Sequence, residues 1–278
     1  MPFMGVLRWV GYNLHHDIRT TNHEARTMNR FFVSKDSFRG DKVLLGKDQT
    51  HQIHSVLRLR PADRIIVLDN TGWEYQVSLA KVTHEQVVGE ILQKRKAPGE
   101  PQTQITLYQS LLARDKFEWV LQKCTEVGVT RFVPVVTQRT LIRDTAIKPD
   151  KRARWQRIIT EAAEQSGRGL IPDLSPPITF EDVLSDLSGF KRRLIAWEPA
   201  EGGQRLALRQ ALCIDKQTKP NTVAVLVGPE GGFTEQEVEL AKKSGAIPIT
   251  LGPRILRTET AAVVAIAIIL YELGQMEG

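Results

Sequence analysis

Few of the features that mark secreted or membrane-spanning proteins occur in this sequence. Its 278 residues include two cysteines, and Cys124 and Cys213 are far apart, which argues against a disulfide framework and for reduced thiols. The longest apolar run, Ala261 to Leu270, is too short to cross a membrane and is typical of a buried helix. The first residues contain no apolar core of a secretory signal. We therefore predict a cytoplasmic protein.

Glycine-rich phosphate loops are also missing. The chain contains no GxxxxGK[ST] motif and no GxGxxG motif after a predicted strand. An enzyme that binds its nucleotide through such a phosphate loop is therefore disfavoured.

The positive charge is unevenly distributed. The formal net charge is +6, and residues 139 to 157 hold seven basic residues against two acids. Residues 220 to 278 instead hold four basic residues against seven acidic ones. The basic stretch favours a polyanionic substrate. The separate neutral-to-acidic region, if it forms a pocket, favours a small cationic cofactor. The alternative for this stretch is an ordinary solvated helix face.

Two apolar runs near the C-terminus each open into a Gly-Pro loop. Val223 to Val227 precedes Gly228-Pro229, and Ile247 to Leu251 precedes Gly252-Pro253. Uninterrupted runs of this length predict strands buried on both faces, as in a parallel sheet. Both loops would then lie at the carboxyl edge of the sheet, where open α/β sheets bind ligands. Their glycines allow main-chain groups to approach a ligand closely.

Strand and helix patterns alternate from residue 104 onwards, which is typical of a parallel α/β sheet. One helix is expected to begin with Asp150 as its N-cap and to end at Gly167. Another begins at the capping box Thr234-x-x-Glu237 and stops at Gly245. The remaining predicted elements are strands Gln104–Tyr108, Phe132–Val136 and Arg193–Trp197, a helix through Phe117, Val120, Leu121, Cys124 and Val127 that stops at Gly128, and a last helix from Thr258 to Leu273.

Short strand patterns with turn signals fill residues 28 to 96 and predict a small β-barrel. The sequence Ala-Pro-Gly-Glu-Pro at residues 97 to 101 predicts a linker. Residues 1 to 27 show no sustained periodicity, and we expect an N-terminal extension outside any domain. The predicted strands are Arg30–Val33, Lys42–Leu45, Arg64–Leu68, Glu74–Leu79 and Gln86–Leu92, with one helix from Asp48 to Leu57.

Several motifs carry a resemblance to a known family. The sequences LVGPEGGFT at residues 226–234 and LGPRILRTETAA at residues 251–262 are similar to the signature of the RsmE family of SPOUT methyltransferases. The similarity continues in RFFV at 30–33, QKCTEVG at 122–128 and EQSGR at 164–168, and covers about residues 28 to 273. One departure is Gln52, where the family commonly has a histidine before the VLR sequence at 56–58.

This resemblance implies a fold, an activity and partners. The fold would be α/β, with a SPOUT-type, trefoil-knotted, parallel-sheet methyltransferase domain at 102–278 and a PUA-like RNA-binding β-barrel at 28–97. The activity would be S-adenosylmethionine-dependent methylation of N3 of a specific uracil in 16S ribosomal RNA of the small ribosomal subunit. The alternative is a non-catalytic RNA-binding protein that retains the fold. The intact glycines and Arg257 argue against that alternative.

The two Gly-Pro loops are the predicted cofactor site. The resemblance implies phosphate contacts from Arg30, Arg58 and Arg60 of the barrel, and the basic stretch adds Arg139, Arg152 and Arg154. The predicted cofactor-binding residues are Leu226, Val227, Gly228, Pro229, Glu230, Gly231 and Gly232 in the first loop and Leu251, Gly252, Arg254, Ile255, Leu256, Arg257 and Thr260 in the second.

The chemistry of uracil N3 suggests catalytic candidates. A sulfonium donor needs no metal ion, but N3 must lose its proton while negative charge spreads to O2 and O4. Guanidinium groups stabilise such charge, so Arg257 and Arg168 are candidates, with Arg30 as a third. Glu230, Glu259, Glu164 or water could take the proton. For Glu259 we favour first-turn pairing with the helix dipole over catalysis.

The last predicted helix suggests a homodimer. Residues 261 to 270 leave no polar face over nearly three turns, and a helix that is apolar all round must be covered on every side. The sheet can cover one side, and a second copy of the chain could cover the other. The competing account is burial within one subunit under the helix from Thr234 to Ser244.

Overall fold

The computed structural model describes residues 28–113, 115–142, 145–198, 204–212 and 219–276. The predicted N-terminal extension and Cys213 lie outside these residues. No helix in this part of the chain is both long and apolar enough to span a membrane.

Residues 30–96 form a mostly antiparallel β region. Its six strands lie in the order β1-β4-β5-β6-β3-β2, and only β1 and β4 pair in parallel. They surround a core that includes Phe31, Val43, Ile53, Val67 and Val77. The strands are β1 (Arg30–Phe32), β2 (Phe38–Arg39), β3 (Lys42–Leu44), β4 (Arg64–Leu68), β5 (Trp73–Val82) and β6 (Val87–Lys96).

One helical segment crosses this β region, as predicted. Helix α1 (Lys47–His51) continues directly into a π-helical turn over Gln52–Val56. Strands β5 and β6 are longer than predicted because polar residues at their far ends still pair across the sheet, for example Glu74 with Arg95.

The strands between residues 104 and 250 form a parallel sheet in the order β10-β8-β7-β13-β11-β14-β12, with β9 paired to β8. Every described pairing in this sheet is parallel, which confirms the α/β prediction; the knot stays a prediction. The strands are β7 (Gln104–Ser110), β8 (Arg131–Val136), β9 (Asp173–Leu174), β10 (Ile178–Thr179), β11 (Arg192–Ala196), β12 (Leu206–Ala207), β13 (Thr222–Val227) and β14 (Ile247–Thr250).

Helices cover both faces of this sheet. Buried side chains of α2, α3, α5 and α7 share one apolar core with one face of the sheet, and those of α4 and α6 share another core with the opposite face. This two-sided covering explains why β13 reads as a continuous apolar run. The helices are α2 (Lys116–Val127), α3 (Pro149–Ser166), α4 (Phe180–Asp186), α5 (Leu208–Leu212), α6 (Glu235–Lys243) and α7 (Thr258–Glu272).

Local signals set most of the helix ends. Thr234 and Glu237 form the predicted capping box of α6, and Gly167 ends α3 with a left-handed φ of 78°. The predicted N-cap of α3 is wrong. Lys148 holds that position, because Pro149 takes the first helical place and Asp150 falls inside the first turn.

Candidate active site

A cavity of about 770 Å³ lies at the carboxyl edge of the parallel sheet. The ends of β11, β13 and β14 surround it, together with the first turns of α2 and α7. Both Gly-Pro loops line it, as their positions after successive parallel strands predicted.

Main-chain geometry gives the first loop its shape. The amide of Gly232 donates to the Pro229 carbonyl at 2.9 Å, and Gly232 has a φ of 67°, which disfavours other residues. A Cβ atom at Gly228 would lie 3.1 Å from the main chain of Gly232 and Phe233. The loop therefore depends on glycine at both positions.

Arg139 supports this loop from outside. Its Nη1 atom donates to the Gly231 carbonyl at 2.7 Å, and a Cβ on Gly231 would lie 3.3 Å from the Cβ of Arg139. Arg139 thus lines the cavity and supports the first loop; its predicted contact with RNA stays a prediction.

The second loop presents several exposed side chains at the cavity. Arg257 is the exposed N-cap residue of α7, and Ile255 is 91% exposed. Thr258, the first residue of α7, is buried, and its hydroxyl donates to the Gly228 carbonyl. The two loops are therefore joined by a hydrogen bond at the base of the cavity.

Glu230 is held as a carboxylate at the cavity rim. Partial burial raises its pKa, but hydrogen bonds from the main chain and from Lys116 Nζ, at 3.0 Å, outweigh burial and keep the pKa below its usual value. A carboxylate with a lowered pKa is a weaker base, which makes Glu230 less suited to take a proton from uracil.

Most predicted cofactor residues line the cavity, but Leu226, Gly252 and Thr260 do not. Leu226 is a buried β13 residue of the second core. The sequence did not reveal lining residues from elements that are distant along the chain, because only the fold brings these elements to the same edge of the sheet. The lining residues not predicted to bind the cofactor are Lys116, Arg139, Ala196, Trp197, Glu198, Phe233, Ile249, Thr258, Glu259 and Ala261.

Arg168 does not lie at the cavity, which corrects its proposed catalytic role. Its side chain is 2% exposed and donates to the carbonyls of Thr125 and Val129. It also forms an ion pair with Glu100 of the linker. A guanidinium buried among these partners ties the ends of α2 and α3 to the linker and cannot reach a substrate in the cavity.

Arg30 and Glu164 also lie away from the cavity. The Arg30 side chain is 9% exposed and pairs with the buried Glu74, which corrects its predicted roles in phosphate contact and catalysis. The Glu164 carboxylate accepts a hydrogen bond from the Phe32 amide at 2.8 Å. Glu164 therefore joins α3 to β1 rather than serving as a base.

The β region lies at the opposite end of the parallel sheet from the cavity. The Gly72 amide donates to the Gly169 carbonyl, and the Ile171 amide donates to Asn70 Oδ1 at 2.8 Å. Gly169 and Ile171 precede β9, whereas the cavity follows the carboxyl ends of the parallel strands. Within one subunit the β region therefore does not reach over the cavity.

The other predicted RNA contacts are on the surface. Arg58, Arg60, Arg152 and Arg154 are exposed, although Arg154 pairs with Glu118 at 2.6 Å. Arg152 lines a second, polar cleft of about 550 Å³ with Arg131 and Asn70. No cluster of three or more possible metal ligands occurs in the described part of the chain.

Comparison with known proteins agrees with this fold. A family model described as an RNA methyltransferase domain matches residues 99–270, so the protein is an RNA methyltransferase. It is 31% identical over 232 residues to the ribosomal RNA small subunit methyltransferase E of Bacillus subtilis, covering 83% of this chain and 90% of that one. The corresponding protein of Synechocystis is 33% identical over 238 residues, covering 86% and 76%. The chain belongs to the ribosomal RNA small subunit methyltransferase E family.

A solved structure of this family shares the architecture. The Neisseria gonorrhoeae ribosomal RNA small subunit methyltransferase E, bound to S-adenosyl methionine, superposes with a TM-score of 0.74. It is 33% identical, and the match covers 88% of this chain and 97% of that one.

Proposed function

We propose that this protein transfers a methyl group from S-adenosylmethionine to N3 of a specific uracil in 16S ribosomal RNA of the small subunit. The observation that carries the proposal is the cavity formed by both Gly-Pro loops, in a chain whose fold matches a relative bound to S-adenosyl methionine. The names of the relatives support ribosomal RNA of the small subunit as the substrate. Such an enzyme would work in the cytoplasm, where ribosomal subunits assemble.

The cavity fits this cofactor. Glycines at 228, 231 and 232 leave main-chain groups accessible to a ligand. Among the described residues, the lining holds three carboxylates and four basic side chains. The wall is therefore not the neutral-to-acidic one expected from the sequence, and the fit rests on the exposed main chain of the first loop. When bound, S-adenosylmethionine supplies an electrophilic methyl group on its sulfonium.

The side chains at the cavity provide what the acceptor requires. The exposed Arg257 guanidinium can stabilise charge that develops on the uracil oxygens as N3 loses its proton. Of the three carboxylates considered as bases, Glu230 and Glu259 line the cavity and Glu164 does not. Glu259 has one buried oxygen without a hydrogen bond among the described residues, whereas Glu230 is paired with Lys116.

We also propose that the enzyme is a homodimer through α7. One side of this helix, including Ala262, Ile266 and Ile269, is buried against the core. Helices α2 and α5 pack against α7. This packing differs from the competing account, in which α6 covers α7 within one subunit. Val264 and Ile268 are only partly buried, and a second copy of this helix would cover them.

Calorimetric titration with S-adenosylmethionine, followed by methylation of small subunits that lack the modification, tests the enzymatic proposal. N3 methylation blocks the Watson–Crick edge of uracil, so reverse transcription should stop at one position after the reaction. Saturable cofactor binding with a single stop is the expected result. RNA binding without saturable cofactor binding would support the non-catalytic alternative.

A further inference from the structure

Gln109, near the end of β7, is a polar residue that is fully enclosed beside the cavity. Its side chain is 1% exposed and does not line the cavity. We propose that Gln109 is a positioning residue, which holds the two cofactor loops together through the hydroxyl of Thr258. This inference rests on the proposed function, because its effect is on binding of S-adenosylmethionine.

A directed chain of hydrogen bonds connects Gln109 to both loops. Gln109 Nε2 donates to Thr258 Oγ1 at 3.2 Å, and the Thr258 hydroxyl donates its proton to the Gly228 carbonyl. Thr258 begins α7 after the second loop, and Gly228 begins the first loop. One buried amide thus fixes the separation of the two loops that line the cavity.

The surroundings determine the orientation of the Gln109 amide. Nε2 also lies 3.2 Å from the Ser110 carbonyl and 3.5 Å from the carbonyls of Val227 and Gly228. Carbonyl oxygens only accept hydrogen bonds, and the Thr258 hydroxyl already donates its proton to the Gly228 carbonyl. A flipped amide would place its oxygen against three carbonyl oxygens, so only one orientation satisfies the site.

This arrangement leaves one atom of Gln109 without a partner. Oε1 is buried and receives no hydrogen bond among the described residues, and a buried polar atom without a partner destabilises a folded protein. An apolar side chain of similar shape would remove this cost but would also lose the hydrogen bonds of Nε2, so the net change in stability would be small. We therefore assign Gln109 the role of ordering the two loops rather than that of stabilising the fold.

The substitution Gln109→Met separates these two roles. Methionine has a similar length and removes the unpartnered Oε1 together with the Nε2 donor, so the gain and the loss offset each other and we expect little change in the melting temperature. We expect the dissociation constant for S-adenosylmethionine to increase about 10-fold, the scale of one well-placed hydrogen bond. Thr258→Val should weaken binding similarly, and Thr258→Ser should recover most of that loss because it retains the hydroxyl.

A double variant that combines Gln109→Met with Thr258→Val tests the chain of hydrogen bonds. Both substitutions break the same chain of hydrogen bonds, so their effects should not add. The double variant should therefore bind S-adenosylmethionine about 10-fold more weakly than the wild type, not about 100-fold. The control is Thr125→Val, which removes a buried hydroxyl that donates to Leu121 at 2.7 Å within α2. That control should lower stability without changing cofactor affinity.

Calorimetry and thermal melting give the deciding measurements. Wild-type affinity in Gln109→Met, full additivity in the double variant, or a loss of affinity matched by a loss of stability would each overturn the positioning role. A wild-type protein that does not bind S-adenosylmethionine would instead contradict the proposed function.

Discussion

The Arg168 guanidinium, 2% exposed, forms a two-point ion pair with Glu100. Arg168 Nη2 lies 3.0 Å from Glu100 Oε2, and Nε lies 3.3 Å from Oε1. Glu100 Oε1 also accepts hydrogen bonds from the amides of Gly169 and Leu170, each at 2.9 Å. The pair therefore fixes the linker to the turn that follows α3.

Replacing Arg168 with methionine should destabilise the protein by about 3–5 kcal/mol, because it leaves the Glu100 carboxylate without its charged partner. Urea denaturation at pH 7 measures the loss. Cofactor affinity of the folded fraction should stay at the wild-type value, since Arg168 does not line the cavity. A variant of normal stability that cannot methylate RNA would restore the catalytic role predicted from the sequence.

Glu164 should make stability depend on pH. Burial raises its pKa, the hydrogen bond from the Phe32 amide lowers it, and the nearby Glu161 raises it, so that the pKa is about 7. In the unfolded chain the value is ~4.3. Between these values the native state binds more protons than the unfolded state, so the free energy of unfolding falls as pH rises. The contribution is complete below pH ~4.3 and is lost as pH rises through 7.

The substitution Glu164→Gln should remove this dependence. Allowing for solvent screening of a half-buried group, we expect the wild type to lose about 1–2 kcal/mol more than the variant between pH 5 and pH 8. Chemical denaturation across this range is the measurement, with Glu85→Gln, at an exposed position of the β region, as the control. Parallel profiles for the wild type and Glu164→Gln would show that Glu164 does not titrate in this window.

The two loop glycines should respond differently to alanine. At Gly228 an added Cβ would press on main-chain atoms at 3.1 Å, whereas at Gly231 it would meet the Arg139 side-chain stem at 3.3 Å. Gly228→Ala would displace three main-chain atoms of the loop itself, whereas Gly231→Ala would meet one neighbouring side chain at a slightly longer distance. We therefore expect Gly228→Ala to weaken S-adenosylmethionine binding at least 10-fold and Gly231→Ala much less. Equal affinities in the two variants would mean that the first loop adapts freely.

The basic stretch should contribute to RNA affinity. Reversing the charges of Arg152 and Arg154 should weaken binding and flatten its dependence on salt, by roughly 0.9 in the log–log slope for each lost phosphate contact. Arg209→Glu is a matched control, since Arg209 is 77% exposed but lies outside this stretch. An unchanged slope would assign Arg152 and Arg154 to an ordinary solvated helix face.

The partly buried face of α7 should hold two subunits together. Sedimentation equilibrium at micromolar concentration should give twice the chain mass of 31.3 kDa. Val264→Arg should produce monomers, because it places a charge in the proposed contact. Leu240→Arg, on the exposed surface of α6, should leave the dimer intact, and a monomeric wild type would rule the contact out.

The sequence by itself determined most of the longer elements and the positions of the two Gly-Pro loops. Local patterns carry this information: the apolar run of β13, the capping box at Thr234, and the stop at Gly167 each depend on neighbours within a few residues. Because parallel strands share one carboxyl edge, two Gly-Pro loops after such strands were enough to predict that both loops line one cavity.

Only the tertiary structure decided the roles of individual polar residues. Arg168, Glu164 and Gln109 have partners 68, 132 and 149 positions away in the chain, and no local pattern encodes such contacts. The chemistry of a guanidinium, a carboxylate or an amide permits catalysis, ion pairing or positioning alike. Burial and the partner decide among them, because a buried polar group must satisfy its hydrogen bonds where the fold places it.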